Sequence, residues 1–358
     1  MENISHLLAA LGPEVDDVDE ESFLIFSEPI PSANLGMIDP RAPSVEISIH
    51  DQDYTVHQSP TVLSSARAGG TTGAVLWKIT PLFAEWISAH QSNPLWTHSL
   101  LSSSSTVVEL GCGISGLMAL ALAPSVRHYL ATDQEYVRRL LRQNLETNAS
   151  VSVSRTTSSN PKGGKGKKKQ PTRTEKSKSK SKSSPSSAAA PAAPPNIAFT
   201  TLDWETDLAT SLKDSLQQDE DDGEYSPSSK AERDEVEEED KGFDLLISCD
   251  CIYNEALVAP FVRTCADICR LRPVYRAQDN DNDKGDGDSS QTSRLPTICL
   301  IAQQQRSPDV FETWLRETMR FFRVWRVSDE VAGEKLRVGS GYLVHLLLLR
   351  GDAAEEGL

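Results

Sequence analysis

Apolar and polar positions change period several times along the chain, and each change predicts an element. Val45-Glu-Ile-Ser-Ile49 and Tyr54-Thr-Val56 alternate apolar and polar residues around His50-Asp-Gln-Asp53, the pattern of a β-hairpin. From Val75 to Trp86 the apolar residues move to helical spacing (Leu76, Ile79, Phe83, Trp86, Ile87), with Trp77 and Lys78 beside the stripe. Short buried strands are then predicted at Val107–Val108, Tyr129–Asp133, Ile197–Leu202, Phe243–Ser248 and Thr297–Ile301. Helical patterns fall between them at Leu117–Ala123, Glu135–Ser150 and Asn254–Leu271, and a Pro308-started helix runs to about Phe322. Two strands, Val324–Val327 and Tyr342–Leu349, close the chain without a helix between them. Strand–helix alternation requires parallel strands joined by crossovers, so a mostly parallel α/β sheet is expected, with one closing strand antiparallel.

Composition refines this picture. Residues 1–40 mix acids with short apolar patches, so 1–70 are expected to form a partly ordered N-terminal extension carrying the hairpin, ahead of a domain over 71–350. Three polar insertions interrupt that domain. Residues 151–195 hold eleven Lys or Arg against one acid, Glu175, and cannot bury enough apolar surface to offset their ordering entropy. They are either an arm for RNA, the ribosome or nuclear import, or a tolerated loop. Residues 214–241 hold thirteen acids against three bases. Residues 279–290 place Asp279, Asp281 and Asp283 at alternate positions but have Lys284 and Ser290 where a calcium loop needs glycine and glutamate, so a solvated loop is expected. No apolar run approaches the roughly 20 residues that span a bilayer, and no basic region precedes Leu7–Leu11 as a secretory signal would require. The expectation is a monomer without membrane contact, cytoplasmic, with a nuclear fraction if the basic arm is an address. The six cysteines lack Cys-x-x-Cys pairs, so no metal site is expected.

The chemistry centres on Val107-Val-Glu-Leu-Gly-Cys-Gly-Ile-Ser-Gly116. Gly111, Gly113 and Gly116 form G-x-G-x-x-G after a strand and before a helix, a spacing shared by dinucleotide binders. Asp133 ends the next strand 22 residues beyond Gly111, where a carboxylate can accept ribose hydroxyls or cap a helix. Asp203-Trp204 follows the third strand and Cys249-Asp-Cys-Ile-Tyr253 the fourth. Taken singly, Trp77 and Tyr253 could be core and Asp203 a cap. Their shared position at the carboxyl ends of parallel strands, where such sheets bind ligands, favours a site.

Glu109 two residues before the first glycine, the absence of a second glycine turn and the seven-strand layout make residues 70–350 resemble the class I S-adenosylmethionine-dependent methyltransferases. Asp250-Cys-Ile-Tyr253 matches the Asp/Glu-x-x-Tyr/Phe motif of the family-sixteen protein lysine methyltransferases. Ala302-Gln-Gln-Gln-Arg-Ser-Pro-Asp-Val-Phe311 and the charged insertions are most similar to the fungal ribosomal branch, which methylates a lysine of the L-one stalk protein of the large subunit. The resemblance implies a Rossmann-like sheet holding S-adenosyl-L-methionine through Trp77, Glu109, Gly111, Cys112, Gly113, Asp133, Asp203, Trp204 and the Cys249 backbone. The helix N-terminus after the glycines would face the methionine carboxylate. Asp250 would capture and orient the substrate lysine and Tyr253 would line its channel. Two other readings use the same motifs: a nucleobase or glutamine N-methyltransferase, with Cys251 and Ile252 in place of two prolines, and a non-catalytic ribosome- or RNA-binding protein with a degenerate cofactor site.

Overall fold

A computed structural model of the chain describes residues 2–27, 29–31, 36–65, 71–149, 194–216, 240–275 and 294–351. The loop at 279–290, and most of the basic and acidic insertions, lie outside the described residues.

The elements in chain order are α1 (Glu2–Leu11), α2 (Val18–Phe26), β1 (Ser44–Ile49), β2 (Gln52–His57), α3 (Pro60–Leu63), α4 (Ile79–Ile87), α5 (Pro94–Thr97), β3 (Thr106–Leu110), α6 (Leu117–Leu122), β4 (His128–Asp133), α7 (Arg138–Thr147) and β5 (Ile197–Thr201). Then come β6 (Leu245–Cys249), α8 (Val258–Cys269), β7 (Ile298–Gln304), α9 (Pro308–Phe321), β8 (Phe322–Arg326), α10 (Asp329–Ala332) and β9 (Tyr342–Leu349). Strands β1 and β2 form the expected hairpin, with Ile49 opposite Gln52 across a two-residue turn. The other seven form one sheet in the order β5-β4-β3-β6-β7-β9-β8. Strands β3 to β7 are parallel, and β9 inserts antiparallel between β7 and β8. The mostly parallel Rossmann-like sheet is therefore as expected. All five residues of β3 and all seven of β7 are buried, as befits strands covered on both faces.

One core gathers Phe83 and Ile87 of α4, Leu117 to Leu122 of α6 and Leu141 of α7. A second, on the other face, gathers Phe261 and Val262 of α8 with Phe311 and Trp314 of α9. The N-terminal segment is more ordered than its mixed composition suggests. Ile4, Leu7 and Leu11 sit at helical spacing and enter the first core, whereas Ile25 of α2 enters the second. Between them Val15 bridges Val324 of the edge strand β8, and Glu14 receives the Arg323 guanidinium at 2.9 Å. The segment thereby covers a sheet edge that would otherwise expose unpaired backbone.

Two further boundaries differ from expectation. The helix predicted from Val75 starts only at Ile79, because Val75–Trp77 is held beside the N-terminal segment: Met37 bridges Trp77, Ile38 N–H donates to Leu76 O, and Lys78 N–H donates to Gly36 O. Strand β7 continues through Gln303 and Gln304, which a polar run had disguised as loop. They pair with Leu343 and Tyr342 of β9, and the pairing holds the segment extended.

Helix α7 also fastens the hairpin. Asn144 donates to His57 O at 3.0 Å and Ile114 O at 2.7 Å and accepts from His57 N–H at 2.8 Å, so its amide extends the β2 edge as a strand would. Asn148 treats Thr55 the same way. Replacing fully buried Asn144 with Leu strands three backbone groups, and urea denaturation is expected to register a loss on the order of 3 kcal/mol. An unchanged midpoint would show that the amide bonds are dispensable.

Candidate active site

Strands β3 to β6 deliver their carboxyl ends to one crevice, which encloses a cavity of about 460 Å³. Glu109, Gly111, Cys112, Gly113, Asp133, Asp203, Trp204, Cys249, Asp250, Tyr253 and Trp77 all line it, so the fold brings every residue expected to hold the cofactor or the lysine to one place.

The glycine loop is threaded through this wall by its own amides. Cys112 N–H donates to Thr132 O at 3.1 Å, Gly113 N–H to Asp133 Oδ2 at 2.8 Å, and Ile114 N–H to Gly73 O at 3.0 Å. Three successive donors are thus engaged by the protein. The helix that follows begins at Leu117, directly after the glycines as expected, and is six residues long. Glycine is required at 111 because φ is 69° and a Cβ there would stand 2.3 Å from Cys251 Sγ.

Asp133 spends its second oxygen on Gln134 N–H at 2.7 Å. Its carboxyl is raised to about 6 because burial outweighs those two amide bonds. Glu109, buried beneath the loop, accepts from the Tyr129 hydroxyl at 2.7 Å, and burial with the neighbouring Asp133 charge lifts it to about 7. Asp203 lies at the exposed rim and accepts from Glu205 N–H at 3.0 Å, closing its own turn. Trp204 packs edge-on to Phe261 at 5.0 Å between centroids and against Gly111; its indole N–H is buried without a partner among the described residues. Cys249 and Cys251 are pushed up by burial, so neither offers a thiolate.

Asp250 is held differently. Its backbone is left-handed, φ 64°, with its N–H donating to Ala302 O at 2.7 Å. Its carboxylate is only 3% exposed and takes both arms of the Arg306 guanidinium at 2.6 Å, plus Gln304 N–H at 3.1 Å. The sequence reading took Asp250 as a carboxylate open to a lysine; the structure gives it a cation of its own. Trp77 lies under that guanidinium, 5.0 Å from ring centre to Cζ, and its indole N–H donates to Thr72 O. Tyr253, 39% exposed, receives the Thr72 hydroxyl at 3.0 Å and stands at the mouth.

Sequence reasoning missed Tyr129, Tyr136 and the part played by Arg306. Tyr136 accepts from Gly73 N–H at 3.2 Å and ties the 72–73 segment over the glycine loop. A tyrosine inside the apolar run of β4, a second one three residues beyond Asp133, and a lone base after the Gln run were the available signals.

The seven-strand sheet thus opens its crevice at the carboxyl ends of its parallel strands. Residues 58–161 match the family model for lysine methyltransferase. The chain is 34% identical over 140 residues to a Schizosaccharomyces pombe protein named diaminohydroxyphosphoribosylamino-pyrimidine deaminase, covering 39% of this chain and 33% of that one. It is 40% identical over 108 residues to ribosomal lysine N-methyltransferase 5 of Zygosaccharomyces rouxii, 27% of this chain and 34% of that one. With the Candida glabrata protein of that name it shares 30% identity over 238 residues, 60% of each chain. The chain therefore spans about a third of the first two relatives and three fifths of the third. No helix among the described residues is long and apolar enough to cross a membrane.

The Glu109 shift carries a testable sign. Its folded value lies above the unfolded one, so its contribution to stability is full below about pH 4.5 and is lost as pH rises through about 7, worth about 3 kcal/mol in all. In the ligand-free protein the melting temperature should fall from pH 5 to pH 8, and Glu109→Gln should flatten much of that slope. Identical slopes in a scanning-fluorimetry series would show that Glu109 does not titrate there.

Proposed function

We propose that this chain is an S-adenosylmethionine-dependent protein-lysine N-methyltransferase, with a lysine of a large-subunit ribosomal protein, the L-one stalk protein, as its substrate. The observation that carries the reading is the acidic character of the cavity wall: Glu109, Asp133, Asp203 and Glu205 line it together with the Arg306-paired Asp250, and among the described residues no Lys, Arg or His does. Such a wall repels a pyrophosphate and suits a ligand carrying a sulfonium and an ammonium. The partnerless Trp204 indole N–H and the glycine at 111 leave a donor and bare backbone in the same wall. The lysine methyltransferase match and the names of the Z. rouxii and C. glabrata relatives support the substrate class. The name of the S. pombe relative suggests deamination, yet no two of the six cysteines here form the Cys-x-x-Cys of zinc nucleobase deaminases.

When bound, the cofactor supplies a sulfonium methyl group for a neutral amine, which loses one proton. Glu109 and Asp133 would hold its cationic and hydroxyl ends, and Asp203 with Trp204 its purine. A lysine of ordinary pKa costs about 4.6 kcal/mol to deprotonate at pH 7. The protein's task is therefore to admit the amine, orient it and keep water out. Tyr253 and Trp77 form the apolar sides of the entrance. Asp250 has about four acceptor positions, of which Arg306 and Gln304 take three. One remains to orient an amine N–H.

Isothermal titration with S-adenosylmethionine, followed by labelling of separated ribosomal components, tests the reading. Wild type should bind the cofactor and label a large-subunit protein. Asp250→Ala should bind within about twofold of wild type and lose labelling by about 100-fold, as misplaced reactants do. Label in rRNA would favour a nucleobase methyltransferase. Absence of cofactor binding would leave a non-catalytic ribosome-binding protein.

A further inference from the structure

The acid of the lysine-binding motif has a cation of its own, and that pairing bears on how the amine loses its proton. Arg306 follows β7 and reaches across its end to meet Asp250 with two parallel bonds of 2.6 Å, while its second nitrogen also donates to Gln304 Oε1 at 3.1 Å. Its other side lies against Trp77, in the entrance wall. Among the described residues, the other titratable groups that interact with Asp250 are Cys249, Cys251 and Tyr253 on its own segment and Tyr342 on β9. Burial raises all four, so they stay neutral and Arg306 alone among these neighbours balances the carboxylate.

We propose that Arg306 is a positioning residue that neutralises Asp250, so that the wall next to the substrate orients the lysine without stabilising it as an ammonium. A bare buried carboxylate within reach of the amine favours the charged, unreactive form and raises its pKa. The bidentate guanidinium removes that penalty and keeps the acceptor in place. It also secures the left-handed backbone at Asp250, a conformation that non-glycine residues adopt only when surrounding bonds hold it. The inference rests on the lysine methyltransferase reading above.

The acid limb of kcat against pH reports groups in the enzyme–substrate complex and is the readout. The assay uses full-length protein, labelled S-adenosylmethionine and purified L-one stalk protein. Arg306→Gln should move the acid limb upward by about one pH unit, giving roughly a tenfold loss of kcat at pH 7 that shrinks as pH rises. Arg306→Lys should keep the limb within about 0.3 unit. The charge-neutral double variant Asp250→Asn with Arg306→Gln should return the limb, whatever its rate, to the wild-type position. This last variant also serves if Arg306→Gln alone does not fold. Cofactor affinity by calorimetry should be unchanged in every variant. A uniform loss at all pH values, or a double variant whose limb stays displaced, overturns the proposal. Wild-type protein that labels no lysine overturns the functional reading itself, and this inference with it.

Discussion

Four neighbouring parallel strands each carry an acid within two residues of their carboxyl end, and these carboxylates must be accommodated in a crevice that no basic side chain lines among the described residues. Each acid is satisfied by a different partner, and the partner sets its character. Glu109 receives one phenol and remains easily protonated. Asp133 receives two backbone amides, one of which belongs to the glycine loop it supports. Asp203 closes its own turn at the solvent edge. Only Asp250 receives a full counter-charge, and that cation reaches it from outside the cavity lining. A single row of acids thereby becomes a graded wall, from protonatable at the floor to fixed and neutralised at the entrance.

The N-terminal segment supports this arrangement as well as filling the two cores. Gly36 receives Lys78 N–H and packs so tightly that a Cβ would overlap the Gln304 amide, the group that in turn receives Arg306. Further along, Glu21 of α2 pairs with Arg326 of β8 at 3.1 Å and approaches buried His345 of β9. The segment therefore braces the β7 end of the sheet from which Arg306 extends.

Much of this was legible in the chain. Strands buried on both faces must be short apolar runs, so β3, β4, β6 and β9 could be placed to within two residues at either end. The acids and glycines at their ends followed from the same periodicity. What was obscure had a local pattern at odds with its tertiary surroundings. The Gln303–Gln304 extension of β7 is polar yet buried because β9 supplies its ladder. Residues 75–77 have helical spacing yet stay out of the helix because residues 36–38 pair with this stretch.

By itself, then, the sequence determined the order of strands and helices, the glycine loop and the set of side chains that meet at the carboxyl ends. These depend on periodicity and on backbone conformations that only certain residues adopt, both of which are local. The tertiary structure alone decided which loop amides are already used, which carboxylate carries a counter-ion and which can be protonated. Those properties depend on groups distant in the chain, 56 residues apart for Asp250 and Arg306, brought within hydrogen-bond distance where water cannot substitute for a missing partner.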